Sequence, residues 1–79
     1  IGSQRRREIT GSDETPLNVA TRHVVEGEAR VARQIALVAR LRKQGHDTAV
    51  AEDLLAGFEA TLADMREHLR VLQTEHDAL

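Results

Sequence analysis

Imidazoles and carboxylates are the side chains of this sequence that could hold a divalent metal or move a proton. Five of them, His23, Glu26, Glu28, Asp64 and His68, come toward the open end of a two-helix rod when the chain is folded back at His46. His23 and Glu26 are three residues apart and Asp64 and His68 are four, so each pair would share one helix face. Di-metal carboxylate sites in helix bundles are built from Glu-x-x-His on facing helices. That motif is absent, because Ala20, Lys43, Met65 and Gln73 precede the four histidines by three, and His23-x-x-Glu26 has the reverse order. The five groups are therefore expected to be solvated helix-face charges, with no metal ligand and no bound cofactor among them. A nucleophile with its base and oxyanion donors is not visible either: hydroxyl side chains are few and there is no Gly-rich phosphate loop. No catalytic residue is assigned, and the chain is not expected to be an enzyme.

The elements that would carry these residues are bounded by length and composition. A chain of 79 residues has room for one small domain whose own core is thin, so oligomerisation or a partner is expected. There is no Cys, Trp or Tyr, and Phe58 is the one aromatic residue. That removes disulfides, thiolate metal sites and aromatic base-stacking platforms together. Apolar runs are short, no membrane span is expected, and the N-terminal residues lack the apolar core of a signal peptide. A soluble, cytoplasmic protein is the expectation.

Gln44-Gly45-His46-Asp47-Thr48 organises the rest. Gly45 suits the left-handed conformation that closes a helix, and Asp47 or Thr48 suits the opening of the next. Upstream, residues 1–14 have almost no apolar content and are expected to form a mobile N-terminal arm. Thr15-Pro16 reads as an N-cap followed by proline at the first helical position, with Asn18 as the alternative cap. From there Leu17, Val24, Val31 and Val38 recur every seventh residue, followed at three by Ala20, Gly27, Gln34 and Leu41. This is a heptad seam, which Ile35 widens, while Glu26 and Arg30 form an i,i+4 pair. After the turn, Ala51, Leu55, Phe58, Leu62, Met65, Leu69, Leu72, His76 and Leu79 step in fours and threes, with Leu54 alongside. The fold class is thus all-α: an antiparallel two-helix hairpin over about 16–44 and 48–78, within a hairpin domain of 15–79, each helix ~40 Å long.

Folding the chain at His46 sets the pairing. Val38 should meet Leu54 and Leu55, Val31 should meet Leu62, and Val24 should meet His68 and Leu69. Gln34 falls opposite Phe58 as a buried polar group that fixes register, hydrogen-bonded to a backbone carbonyl or to its symmetry mate, and Gly27 opposite Met65, where a missing Cβ accommodates a bulky side chain. Charge is divided between the helices: residues 17–44 carry a net +4 and residues 45–79 a net −6. Arg33 opposite Glu59 and Arg40 opposite Glu52 would specify which helices pair and in what direction.

Val25, Ala29, Ala32, Ala36 and Ala39 make a second stripe on the first helix, nearly opposite the seam. A finished two-helix unit should present charge there, so a further helix is expected to cover it. Arg22, Arg33 and Arg40 flank the strip and could reach acids on a neighbouring second helix. The reading that follows is a homodimeric four-helix bundle with the first helix central, acting as an interaction or assembly module. The alternative is a small adaptor or regulator whose first helix docks on another protein's helices. A nucleic-acid-associated protein ranks third: Arg5, Arg6 and Arg7 could contact phosphates, but the second helix's acids answer the first helix's arginines and no base-reading motif is present.

Two resemblances attach to particular residues. His23-Val24-Val25-Glu26-Gly27 is similar over five residues to the His-x-x-Lys-Gly of histidine phosphotransfer domains, but Glu26 replaces the lysine and its charge would repel a phosphoryl group. More broadly, Gly27-Glu28-x-x-Val31-x-x-Gln34, then Leu41-x-x-x-Gly45-His46-Asp47-Thr48, then Ala51-x-x-Leu54-Leu55 resembles short, uncharacterised α-helical bacterial proteins, mainly alphaproteobacterial, over about residues 23–72. That resemblance implies a small cytosolic helical hairpin and brings no activity, cofactor or site.

Overall fold

The computed structural model describes residues 15–78. The expected N-terminal arm and Leu79 lie outside them. Two helices make up the described chain, α1 (Pro16–Lys43) and α2 (Ala49–Ala78), packed antiparallel along their lengths. Among the described residues no helix is long and apolar enough to cross a membrane.

The helix ends follow from local chemistry. Thr15 is extended (φ −84, ψ 158), and its hydroxyl accepts the Asn18 amide at 3.1 Å while its carbonyl accepts the Val19 amide at 2.9 Å. Pro16 then occupies a position where no amide is needed. At the other end Gly45 takes φ 77, and two amides fold back over the last turn: Gly45 to the Arg42 carbonyl at 3.1 Å and His46 to the Leu41 carbonyl at 2.9 Å. This satisfies carbonyls that the helix itself leaves open, and Arg40, Arg42 and Lys43 place positive charge at that negative end. Asp47 opens α2 by accepting the Ala49 amide at 3.0 Å. The Thr48 hydroxyl, the other candidate cap, instead donates to Glu52 Oε2 at 2.6 Å. At the turn, each helix boundary sits one residue inside the expected one.

The core lies along the seam. Ala20, Val24, Val38, Ala51 and Leu62 are buried, as are Gly27 and Gln34, and Leu17, Val31, Leu41, Leu55, Phe58, Met65, Leu69 and Leu72 are half-buried. No side chain among the described residues falls below 2% exposure, so every seam contact has solvent on at least one flank. Gly27 lets the helices approach: a Cβ there would lie 3.1 Å from Leu62 Cδ1 and 3.3 Å from Met65 Sδ.

Gln34 is buried on the seam and bonded to a backbone carbonyl as expected, its Nε2 donating to that of Ala51 at 2.8 Å and tying α1 to the first turn of α2. Other expected pairings come out differently. The Arg30 guanidinium lies over the Phe58 ring, 5.7 Å from its centroid, in place of the expected pairing with Glu26. Glu52 pairs with Arg42 at 3.3 Å, not with Arg40. The other cross-helix ion pair among the described residues is Arg66–Glu28 at 2.9 Å, and none forms there between Arg33 and Glu59. Residue level along the axis decides which turns meet, but azimuth decides which side chains meet. Arg42 and Glu28 flank the seam on the side of Glu52 and Arg66, whereas Arg33 and Arg40 lie round the helix from it.

Candidate functional site

The seam divides the hairpin into two long sides. On one, every seventh residue of α1 from Glu28 gives Ile35 and Arg42, and every seventh residue of α2 from Glu52 gives Glu59 and Arg66. Both cross-helix ion pairs close this side, and Ile35 and Glu59 line the groove between them. On the other, His23, Arg30 and Leu37 run along α1 and Leu54, Thr61 and His68 along α2. His23 and His68 line one groove there with Val19, so the fold does bring these two imidazoles to a common cleft. Glu28 is on the opposite side, tied to Arg66. Among the described residues no group of three or more His, Cys, Asp or Glu is placed to hold a metal ion.

Charge chemistry elsewhere on the hairpin is local. Arg70 forks onto Glu67 one turn away, its Nε reaching Oε2 at 3.0 Å, and these hydrogen bonds hold the Glu67 carboxyl below the ordinary carboxylate range. The same contact raises Arg70 above the ordinary guanidinium value. Both groups are exposed, so the pair steadies one turn of α2 and leaves no group poised for proton transfer.

No family model matches this chain, and no curated protein or solved structure matches it. The resemblance to short bacterial helical proteins therefore rests on the motif residues alone, and the site must be read from the surface.

Two stretches of the described surface expose apolar side chains at helical spacing. Along the back of α1, Val25 is 58% exposed, and Ala29, Ala32, Ala36 and Ala39 are all exposed, since α2 packs on the other face. Ile35, expected to widen the seam, is 50% exposed beside this strip. The second stretch is on α2 near the turn. Leu54, expected against Val38, is 50% exposed, and Val50 one turn before it is 74% exposed. Val50, Leu54 and Gly57 step four and three, displaced by one residue from the seam stripe of Ala51, Leu55 and Phe58. The polar Thr61 and Asp64 continue that stripe, so its apolar part is too short for periodicity to single out. Across the seam, at the level of Leu54, Leu37 is half-buried.

Proposed function

We propose that this chain is a non-enzymatic helical interaction module that works by associating with itself, as a homodimer in which α1 is central. The carrying observation is the exposed strip of Val25, Ala29, Ala32, Ala36 and Ala39, which the hairpin itself leaves uncovered. Small side chains let a second helix come close, and Arg33 and Arg40 beside the strip are complementary to the acids of a partner's α2. The thin seam supports the same reading, because a two-helix unit with no fully buried side chain among the described residues gains stability by covering more apolar surface.

Sedimentation equilibrium on the full chain tests this. The wild type should sediment above monomer mass at micromolar concentration, and Ala32→Glu with Ala36→Glu should lower that mass. A monomeric wild type, or a double variant of wild-type mass and stability, overturns the proposal.

A further inference from the structure

The side of the hairpin that carries Leu37 and Leu54 has properties the α1 strip lacks. Its apolar residues are large and come from both helices, with Leu54 50% exposed beside half-buried Leu37 and Val50 at the edge 74% exposed. The opposite side is closed by Arg42–Glu52 and Arg66–Glu28, so covering it would strip water from two ion pairs. Among the described residues no cross-helix ion pair spans the Leu54 side. In the half nearer the turn, the rim of α1 is basic, with Arg33 and Arg40, and the rim of α2 carries Asp53. Farther out the pattern ends: Thr61 follows Leu54 on α2, Arg30, whose guanidinium lies over Phe58, follows Leu37 on α1, and Glu26 stands level with Asp64. The complementary area is therefore the turn-proximal half. A patch with leucines in the middle, arginine on one rim and aspartate on the other is complementary to itself when turned over, which is what a two-fold contact between identical surfaces requires.

We propose that this patch is a second self-docking surface, on which another copy of the chain lies with its α1 against α2 and its α2 against α1. Charge and position both select this geometry. A two-fold axis parallel to the helices sets basic α1 on acidic α2, antiparallel, as the two helices already sit within one chain, and puts both turns at the same end. An axis across the hairpin would stack α1 on α1 and arginine on arginine. In the selected arrangement Leu37 of one copy faces Leu54 of the other, and Arg40 at the rim lies level with Asp53 of the other copy. The proposal does not require the α1 strip. If both surfaces operate, a chain with two self-docking faces assembles past the dimer.

The test is sedimentation equilibrium on full-length variants, with helicity checked by circular dichroism. The Ala32→Glu/Ala36→Glu variant should still self-associate through the Leu54 patch, and its fall to monomer mass at micromolar concentration overturns this proposal while supporting the strip. Val50→Lys with Leu54→Lys places charge opposite the partner's basic α1. It should lower the mass relative to wild type while keeping the helical signal, and combined with the two alanine substitutions it should give monomer. A helical Val50→Lys/Leu54→Lys variant of unchanged mass overturns the proposal and leaves the strip untouched. Should that variant lose its helix, charge reversal decides. In the Ala32→Glu/Ala36→Glu background, Arg40→Glu alone should weaken the remaining self-association roughly tenfold, because the two-fold axis repeats the pair, and adding Asp53→Arg should restore it to within about twofold. Absence of rescue overturns the proposal, because Arg40 and Asp53 form no ion pair within one chain and rescue can arise only between copies.

Discussion

Replacing Gln34 separates what its hydrogen bond contributes from what its packing contributes. The side chain is 9% exposed, and its Nε2 reaches the Ala51 carbonyl at 2.8 Å. Ala51 lies in the first turn of α2, so its carbonyl also receives an amide of its own helix and truncating Gln34 orphans no buried acceptor. Gln34→Ala loses a bond of about 1 kcal/mol net and one methylene at about 0.8 kcal/mol, and regains about 0.4 kcal/mol of helix propensity. The net loss is about 1.4 kcal/mol, which lowers the thermal midpoint by about 6–11 °C in a domain of this size. Gln34→Met keeps the length and exchanges the amide for apolar contact, so it should remain within about 1 kcal/mol of wild type. Both are read by thermal and urea unfolding at one fixed protein concentration, since self-association shifts apparent stability by mass action. A Gln34→Met variant as unstable as Gln34→Ala would refute the reasoning by placing the stability in the amide. A Gln34→Ala variant indistinguishable from wild type would refute it by placing the stability elsewhere.

The glycines should separate in the same assay. Gly57→Ala is expected to stabilise by about 1 kcal/mol, because an added Cβ in mid-helix meets nothing within 4 Å. Gly27→Ala should forfeit that gain against Leu62 and Met65 at 3.1 and 3.3 Å, and Gly45→Ala should cost about 1–2 kcal/mol because its φ is 77. For Glu67, whose folded carboxyl titrates below the ordinary range, the contribution is present at neutral pH and lost as pH falls through the lowered value. Solvent screens that exposed pair, so Glu67→Gln should leave the thermal midpoint at pH 7 unresolved from wild type.

Much of the hairpin is legible in the sequence because the seam repeats. Val24, Val31 and Val38 on α1, and Leu55, Leu62 and Leu69 on α2, recur every seventh residue, and a periodic signal of that length reports azimuth directly. The turn is equally plain, since Gly45 and Asp47 each do one local job. What fails is pairing across the seam by level alone. Leu54 and Leu55 stand at nearly the same height but about 100° apart around α2, so only one of them can face α1. Arg40 and Arg42 differ by two residues and therefore by more than half a turn, which gives Glu52 to Arg42. Gln34 is legible in part: its seam position points to a buried polar group bonded to a backbone carbonyl or a symmetry mate, but that the carbonyl is Ala51's leaves no trace in sequence. The exposed apolar surfaces are half legible, the α1 strip from its spacing and the Leu54 patch only once the seam has taken Leu55.

Because both helices leave one short turn, contacts across the seam grow in chain separation with distance from it: ten residues for Arg42–Glu52, seventeen for Gln34–Ala51 and thirty-eight for Arg66–Glu28. Once an inner contact has formed, each outer one closes only a little more chain, so the seam zips from the turn outward and opens in reverse. Amide exchange should record this as a gradient, with protection lost first around Val24 and Leu69 and last around Val38 and Leu55. The two ends of the rod then respond differently to load. A pull applied ahead of Thr15 meets the last-formed contacts, where Leu17 and Leu72 line an open groove, and peels the seam one layer at a time. A segment inserted at His46 lengthens the loop that every seam contact closes, so it weakens all of them together by one small increment.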